Sequence, residues 1–145
     1  MKKACVLGVL FSALAGSWSW AAVLRVPSEY PSIQQAISDS NDGDTVLVSP
    51  GVYYETINFS GKNITVTSTD PNDRGIVGYT IINAEQDGSA VTFDNGETPA
   101  AVLTGFTITG GLGTLNGDIG GDQPILWGGG VYCAGSSPTI TKNVI

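Results

Sequence analysis

Between Asp44 and Thr69 three short runs rich in β-branched residues follow one another: Thr45-Val46-Leu47-Val48, Thr56-Ile57-Asn58-Phe59 and Ile64-Thr65-Val66-Thr67. Only turn chemistry, Ser49-Pro50-Gly51 and Ser60-Gly61-Lys62-Asn63, stands between them. Each run alternates apolar and polar residues, the period of a half-buried strand. Strands joined by turns this short cannot be parallel neighbours in one sheet, because parallel neighbours need long crossovers. They can form three sides of one coil of a solenoid, each strand pairing with its equivalent one coil later. The expected fold is therefore all-β: a single-stranded solenoid of about three coils, wound as a parallel β-helix.

The rest of the chain repeats the pattern. Thr80-Ile81-Ile82-Asn83, Ala90-Val91-Thr92-Phe93 and Leu103 to Thr109 make a second set of strand-like runs. Gly130 to Cys133 and Thr139 to Thr141 begin a third. Val46 to Ile81 spans 35 positions and Ile57 to Val91 spans 34, a fixed spacing that marks repeat architecture. Gly110 to Gly129 is a long loop that offsets the third coil. Arg25 to Asp44 is read as the only helical stretch. There Pro31 suits a first turn, and Ile33, Ala36 and Ile37 fall on one face. That face is expected to cover the open apolar end of the first coil. The chain reaches Asn143-Val144-Ile145 in mid-repeat without a polar cap. Residues 22–145 are accordingly expected to be the N-terminal part of a longer β-helix domain, self-associating through an open C-terminal edge.

Composition bounds the partners. Lys2 and Lys3 precede an apolar run from Ala4 to Ala15, and Ser19-Trp20-Ala21 suits cleavage, so residues 1–21 read as a secretory signal peptide. The run is shorter than the roughly 20 residues needed to span a bilayer. Cleavage would leave four basic residues against thirteen acids, a charge of −9. That excludes nucleic acid and anionic membranes as partners, and membrane insertion is not expected after cleavage. Only Cys133 would remain, so no internal disulfide forms. Histidine is absent, which removes the commonest zinc ligand and general base.

The segments YPSIQQAISDSNDGDTVLVSPGVYYETINFSGKNITVTS, GFTITGG and GGGVYCAGSSPTITKNVI resemble secreted bacterial right-handed parallel β-helix proteins of the pectin-lyase-like superfamily. The resemblance covers about Val26 to Ile145. It implies the fold and leaves activity open, because the superfamily holds lyases, hydrolases, esterases, epimerases and non-catalytic adhesins. Gly51-Val52-Tyr53-Tyr54-Glu55 is similar to the Gly-x-Tyr-x-Glu near the start of pectin methylesterases. That family's later Gln-Ala-Val, Asp-Phe and Gly-Arg-Pro-Trp motifs have no match, so Gly51, Tyr53 and Glu55 are read as turn and coil-shaping residues. Lyases of the superfamily pair calcium-binding acids with a base. Arg25, before the helix, and Arg74, in a turn, are not evident candidates.

No catalytic set is therefore expected within this chain. Asp118 and Asp122 are the best local pair of carboxylates, able to act as acid and base or to hold Ca2+ if further oxygens converge. In Gly117-Asp118-Ile119-Gly120-Gly121-Asp122 the same residues are ordinary turn formers. No cofactor is otherwise implied. Trp127 and Tyr132, with Tyr79, suggest exposed rings on which sugars stack, although aromatics also simply cover loops. Asn58 and Asn63 head sequons in form and read as turn and ladder residues. Cys133 shares strand parity with Val131 and is expected to point into the core. The functional expectation is a secreted scaffold contacting extracellular polysaccharide. Two alternatives stay open: the front of a polysaccharide lyase or carbohydrate esterase with its active site downstream, or an adhesin stalk.

Overall fold

The computed structural model describes residues 20–115 and 125–145, so the signal-peptide expectation lies almost wholly outside the described residues. The fold is mostly β, with parallel sheets and two short helices among the described residues. The first sheet runs in the order β1 (Val23–Val26), β2 (Thr45–Val48), β5 (Thr65–Ser68), β8 (Val102–Thr104), β13 (Thr139–Thr141). The second is β3 (Gly51–Tyr54), β6 (Thr80–Asn83), β9 (Thr107–Thr109). The third is β4 (Ile57–Asn58), β7 (Val91–Phe93), β12 (Val131–Cys133). All pairs within these three sheets are parallel. From β2 onward the chain visits the first, second and third sheets in turn and then returns to the first. The long crossover that a parallel pair requires is thus supplied by strands of the other two sheets.

Alternation along each strand aligns the inward residues in columns. Leu24, Val46, Val66, Leu103 and Ile140 stand in register across the first sheet. Tyr53, Ile82 and Ile108 do so across the second, and Ile57, Val91 and Val131 across the third. Most of these side chains lie in one core. Each buried aliphatic side chain contributes roughly 1.5–3 kcal/mol. Phe59 and Phe93 fill the same core with ring centroids 4.3 Å apart.

Several expectations require correction. Thr45–Val48 and Thr65–Ser68 are not separate sides of one turn of chain; they are neighbours in the first sheet, with Val46 opposite Val66. The strand not expected is β3, Gly51–Tyr54, in the second sheet, whose Val-Tyr-Tyr sequence is strand-forming although Pro50-Gly51 marks a turn. Ile81 accordingly pairs with Val52 rather than standing over Val46, whereas the Ile57–Val91 spacing is a true register pair. The run from Leu103 to Thr109 is two strands in different sheets, split at Gly105. Gly105 has φ +85°, and a Cβ there would lie 2.9 Å from the Cα of Pro71. Only glycine tolerates that corner.

The helical stretch is also shorter than its sequence limits. Val23–Val26 is a strand, and α1 occupies Ile33–Asp39 alone. A second helix, α2, forms at Arg74–Tyr79, so Arg74, expected in a turn, opens a helix instead. Its N-cap is Asp73, whose carboxylate accepts from Gly75 N (2.7 Å). The apolar face of α1 is as expected: Ile33, Ala36 and Ile37 are fully buried, and the helix packs on β1, β2 and β4. Both ends of α1 are held by side chains from the turns on either side of β4. Glu55 accepts from the N–H groups of Ile33 and Gln34, each at 2.9 Å. Lys62 Nζ donates to the carbonyls of Ile37, Ser38 and Ser40. Carboxylate at the N-terminus and ammonium at the C-terminus match the polarity of the helix. Glu55 is therefore a helix cap. Gly51 and Tyr53 lie within β3, and the Tyr53 hydroxyl donates to Ser49 O (2.8 Å).

Candidate functional site: a polar groove flanked by aromatics

On the third sheet the outward residues Asn58, Thr92 and Tyr132 stand in register across β4, β7 and β12. Beside them runs an antiparallel ribbon of β10 (Thr114–Leu115) and β11 (Leu126–Trp127), with Thr114 opposite Trp127. Trp127 thus sits on a strand rather than in an irregular loop. The ribbon is tied to the sheet by Ser89, whose Oγ lies 2.7 Å from Thr114 Oγ1 and donates to Trp127 O at 3.4 Å. At its base the two chain segments cross so closely that a Cβ on Gly111 would overlap the carbonyl of Gly129. A Cβ on Gly128 would likewise meet the Cα of Tyr132 at 2.8 Å. These contacts explain the glycines at 111, 128 and 129, and they hold Trp127 close in the chain to the backbone of Tyr132.

Between the sheet and the ribbon lies a shallow groove of about 410 Å³, lined by Gln34, Asn58, Asp87, Ser89, Thr92 and Thr114 among others. Its lining carries hydroxyls, amides and one carboxylate, with Ile57 as its apolar side chain. Trp127 is exposed and Tyr132 half-buried. Of the four residues singled out in the sequence, these two are brought together. Asp118 and Asp122 lie outside the described residues. Tyr79 is exposed on α2, which packs on β6 and β9 of the second sheet.

The groove offers hydrogen-bond donors and acceptors to a hydroxyl-rich ligand. Among the described residues, the groove's hydroxyls have no hydrogen-bonded base to activate them. The one Ser–carboxylate pair of note, Ser136 Oγ to Glu97 Oε2 at 2.6 Å, is a clamp. Glu97 is 2% exposed and also accepts from Gly61 N (2.7 Å) and Asn95 N (3.1 Å). Burial pushes its pKa up, but the Ser136 hydroxyl and the amides of Gly61, Glu97 and Asn95 outweigh burial and hold it below the usual range. Nothing in the local sequence distinguishes Glu97, because its partners come from three separate turns. No three Cys, Asp or Glu side chains converge on a metal position among the described residues.

Asn63 ties two turns together: its Oδ1 accepts from Thr98 N (2.9 Å) and Thr98 Oγ1 (2.7 Å). Asn58 accepts from Ser60 N (2.6 Å) and donates to Asp94 (3.2 Å). Cys133 does not point into the core as expected; it is exposed. Its parity is right, since it stands opposite buried Phe93, but β12 is the outer strand of the sheet among the described residues. Partial burial and the charge of Glu97 raise the pKa of the thiol.

No helix among the described residues is long and apolar enough to cross a membrane. No protein-family model matches the chain, and neither a curated protein nor a solved structure matches it.

Proposed function

We propose that this chain is a secreted scaffold of the pectin-lyase-like kind, a right-handed parallel β-helix that contacts extracellular polysaccharide. The order in which strands visit the three sheets supports the β-helix reading, as do the inward columns. The Lys2-Lys3 start and the apolar run after it support secretion. The observation that carries the binding role is the outward row Asn58–Thr92–Tyr132, whose Asn58 and Thr92 line a groove together with Thr114, the ribbon partner of Trp127. Sugar rings stack on exposed aromatic faces while their hydroxyls exchange hydrogen bonds with such a lining. Within this chain the role is binding, without a catalytic set. Ca2+ is a proposed bridge to acidic glycans through Asp118 and Asp122, supplying charge that an acidic protein lacks.

A glycan array probed with the full chain, with and without chelator, tests this reading. Trp127→Ala should lower the retained signals by about tenfold, in line with loss of a stacking ring. Tyr54→Ala, on the second sheet, should leave them unchanged, and signals from acidic glycans should fall with chelator. Signals that survive Trp127→Ala undiminished would defeat the proposal.

A further inference from the structure

The four cations beyond residue 22 divide into two pairs by what they do. Arg25 faces Glu29 at 3.6 Å, and Lys62 closes the C-terminus of α1. Arg74 and Lys142 remain, and both line one cleft of about 720 Å³ with Asn72 and Asn143. No acidic side chain contributes to that lining. Neither cation has an ion pair among the described residues.

The nearest acids along the chain are turned to other work. Asp70 accepts from Asn72 N (2.9 Å), and Asp73 caps α2 through Gly75 N and Ile76 N. Lys142 is set in place with care. It holds φ +56°, a region that non-glycine residues seldom occupy. On one side Thr141 Oγ1 donates to Thr104 Oγ1 (3.3 Å). On the other, Asn143 donates to Leu103 O (3.0 Å) and accepts from Phe106 N (2.9 Å). Its ammonium is steered to Asn72 Oδ1 at 2.6 Å, inside the cleft.

We infer that this cleft is an anion site for a tetrahedral divalent oxyanion, a sulfate or phosphate group, held by Arg74 and Lys142 with the side-chain amide of Asn72. A guanidinium fork and an ammonium suit such a group. Two cations favour a dianion over a monoanion, while the charges on Asp70 and Asp73 offset them at longer range and leave binding weak and salt-sensitive. The group arrives either as the free ion or as an ester on a glycan.

Backbone amide shifts of the full chain, titrated with sodium sulfate against sodium chloride at matched ionic strength, test this. Sulfate should give saturable shifts at Asn72, Arg74, Gly78 and Asn143, and chloride should not. Arg74→Gln and Lys142→Gln should each weaken binding by about fivefold, and together should abolish it, while Arg25→Gln changes nothing. A sulfated dextran oligosaccharide binding more tightly than sulfate marks the ester as the ligand; equal affinity marks the free ion. Shifts that follow ionic strength alone, or that persist unchanged in a folded double variant, overturn the inference. Trp127→Ala should leave these shifts intact, which separates this site from the polar groove.

Discussion

The side chain of Gln34 completes the edge of a sheet by exchanging two hydrogen bonds with the backbone of Asn58. Its amide Nε2 donates to Asn58 O at 3.2 Å, and its Oε1 accepts from Asn58 N at 2.7 Å. A primary amide presents the same donor and acceptor pair as a peptide group, so one side chain stands where another strand would be. This protects an edge that would otherwise offer unpaired groups to another chain.

Removing that amide should therefore be felt at the edge before it is felt globally. Gln34→Ala should cost about 1–2 kcal/mol in urea denaturation, because two partly buried backbone groups lose their partners. Hydrogen exchange at Asn58 N–H should accelerate. Gln34→Glu should restore the acceptor without the donor and fall between the two. An Asn58 amide that exchanges equally slowly in all three proteins would show that the edge does not depend on Gln34.

The apolar face of α1 makes a sharper demand. Ile37 is fully buried, and Ile37→Asp would place a charge in the core, where Lys62 is already committed to the end of the same helix. The expected cost is about 3–5 kcal/mol. Thermal unfolding measures it, and an unchanged Tm would mean that α1 does not cover the core.

Two buried carboxylates should govern acid stability. Asp44 accepts from Ala22 N (2.7 Å) and Asn41 N (2.8 Å), and these amides hold its pKa below its ordinary 3.8. Glu97 is held below its ordinary 4.5, burial being outweighed by its hydrogen bonds. A folded pKa below the unfolded one means that the unfolded chain takes up protons first. Stability is thus fully present above the ordinary values and is lost as pH falls through the folded ones. The urea midpoint should hold from pH 7 to about 5 and then drop progressively toward pH 2. Asp44→Asn should flatten part of that drop; an acid limb identical to that of the unsubstituted chain would remove Asp44 as a cause.

Ser68 presents the opposite case. Its hydroxyl is buried without a hydrogen-bond partner among the described residues, in line with Val48 on the inward side of the first sheet. Ser68→Ala should leave stability unchanged or raise it by up to about 1 kcal/mol, since an unpaired buried polar group is removed. A loss above about 1 kcal/mol in urea denaturation would reveal a partner for the hydroxyl.

Gly105 should resist substitution even by alanine. The new Cβ would fall on Ser68 Oγ and Pro71 Cα, at a backbone angle that L-residues avoid. Gly105→Ala should cost about 2–3 kcal/mol, measured by the same denaturation series. A cost below about 0.5 kcal/mol would mean the corner relaxes freely.

What the sequence by itself determined was which residues face inward. Period-2 alternation put Val46, Ile57, Val66 and Leu103 on the apolar side of their runs, and helical spacing marked Ile33, Ala36 and Ile37, whereas Ile81, taken as the equivalent of Val46, yields the inward place to Ile82. Alternation is a local property, and so it survives in the sequence. Partnership is not local. That Val46 faces Val66 rather than Ile81 depends on Gly51–Tyr54 forming a strand of its own, a choice that β6 decides by pairing with it. The side chains that close the structure reach partners 21 to 39 positions away: Glu55 to α1, Gln34 to Asn58, Ser136 to Glu97. Such contacts leave no spacing signature, because the intervening turns differ in length. The aromatic pair Trp127 and Tyr132 was legible, and the groove beside it was not. Its walls come from β4, β7 and the ribbon, which only the folded chain sets side by side. The same holds for Arg74 and Lys142, remote in sequence and brought to one cleft by packing that no local pattern encodes.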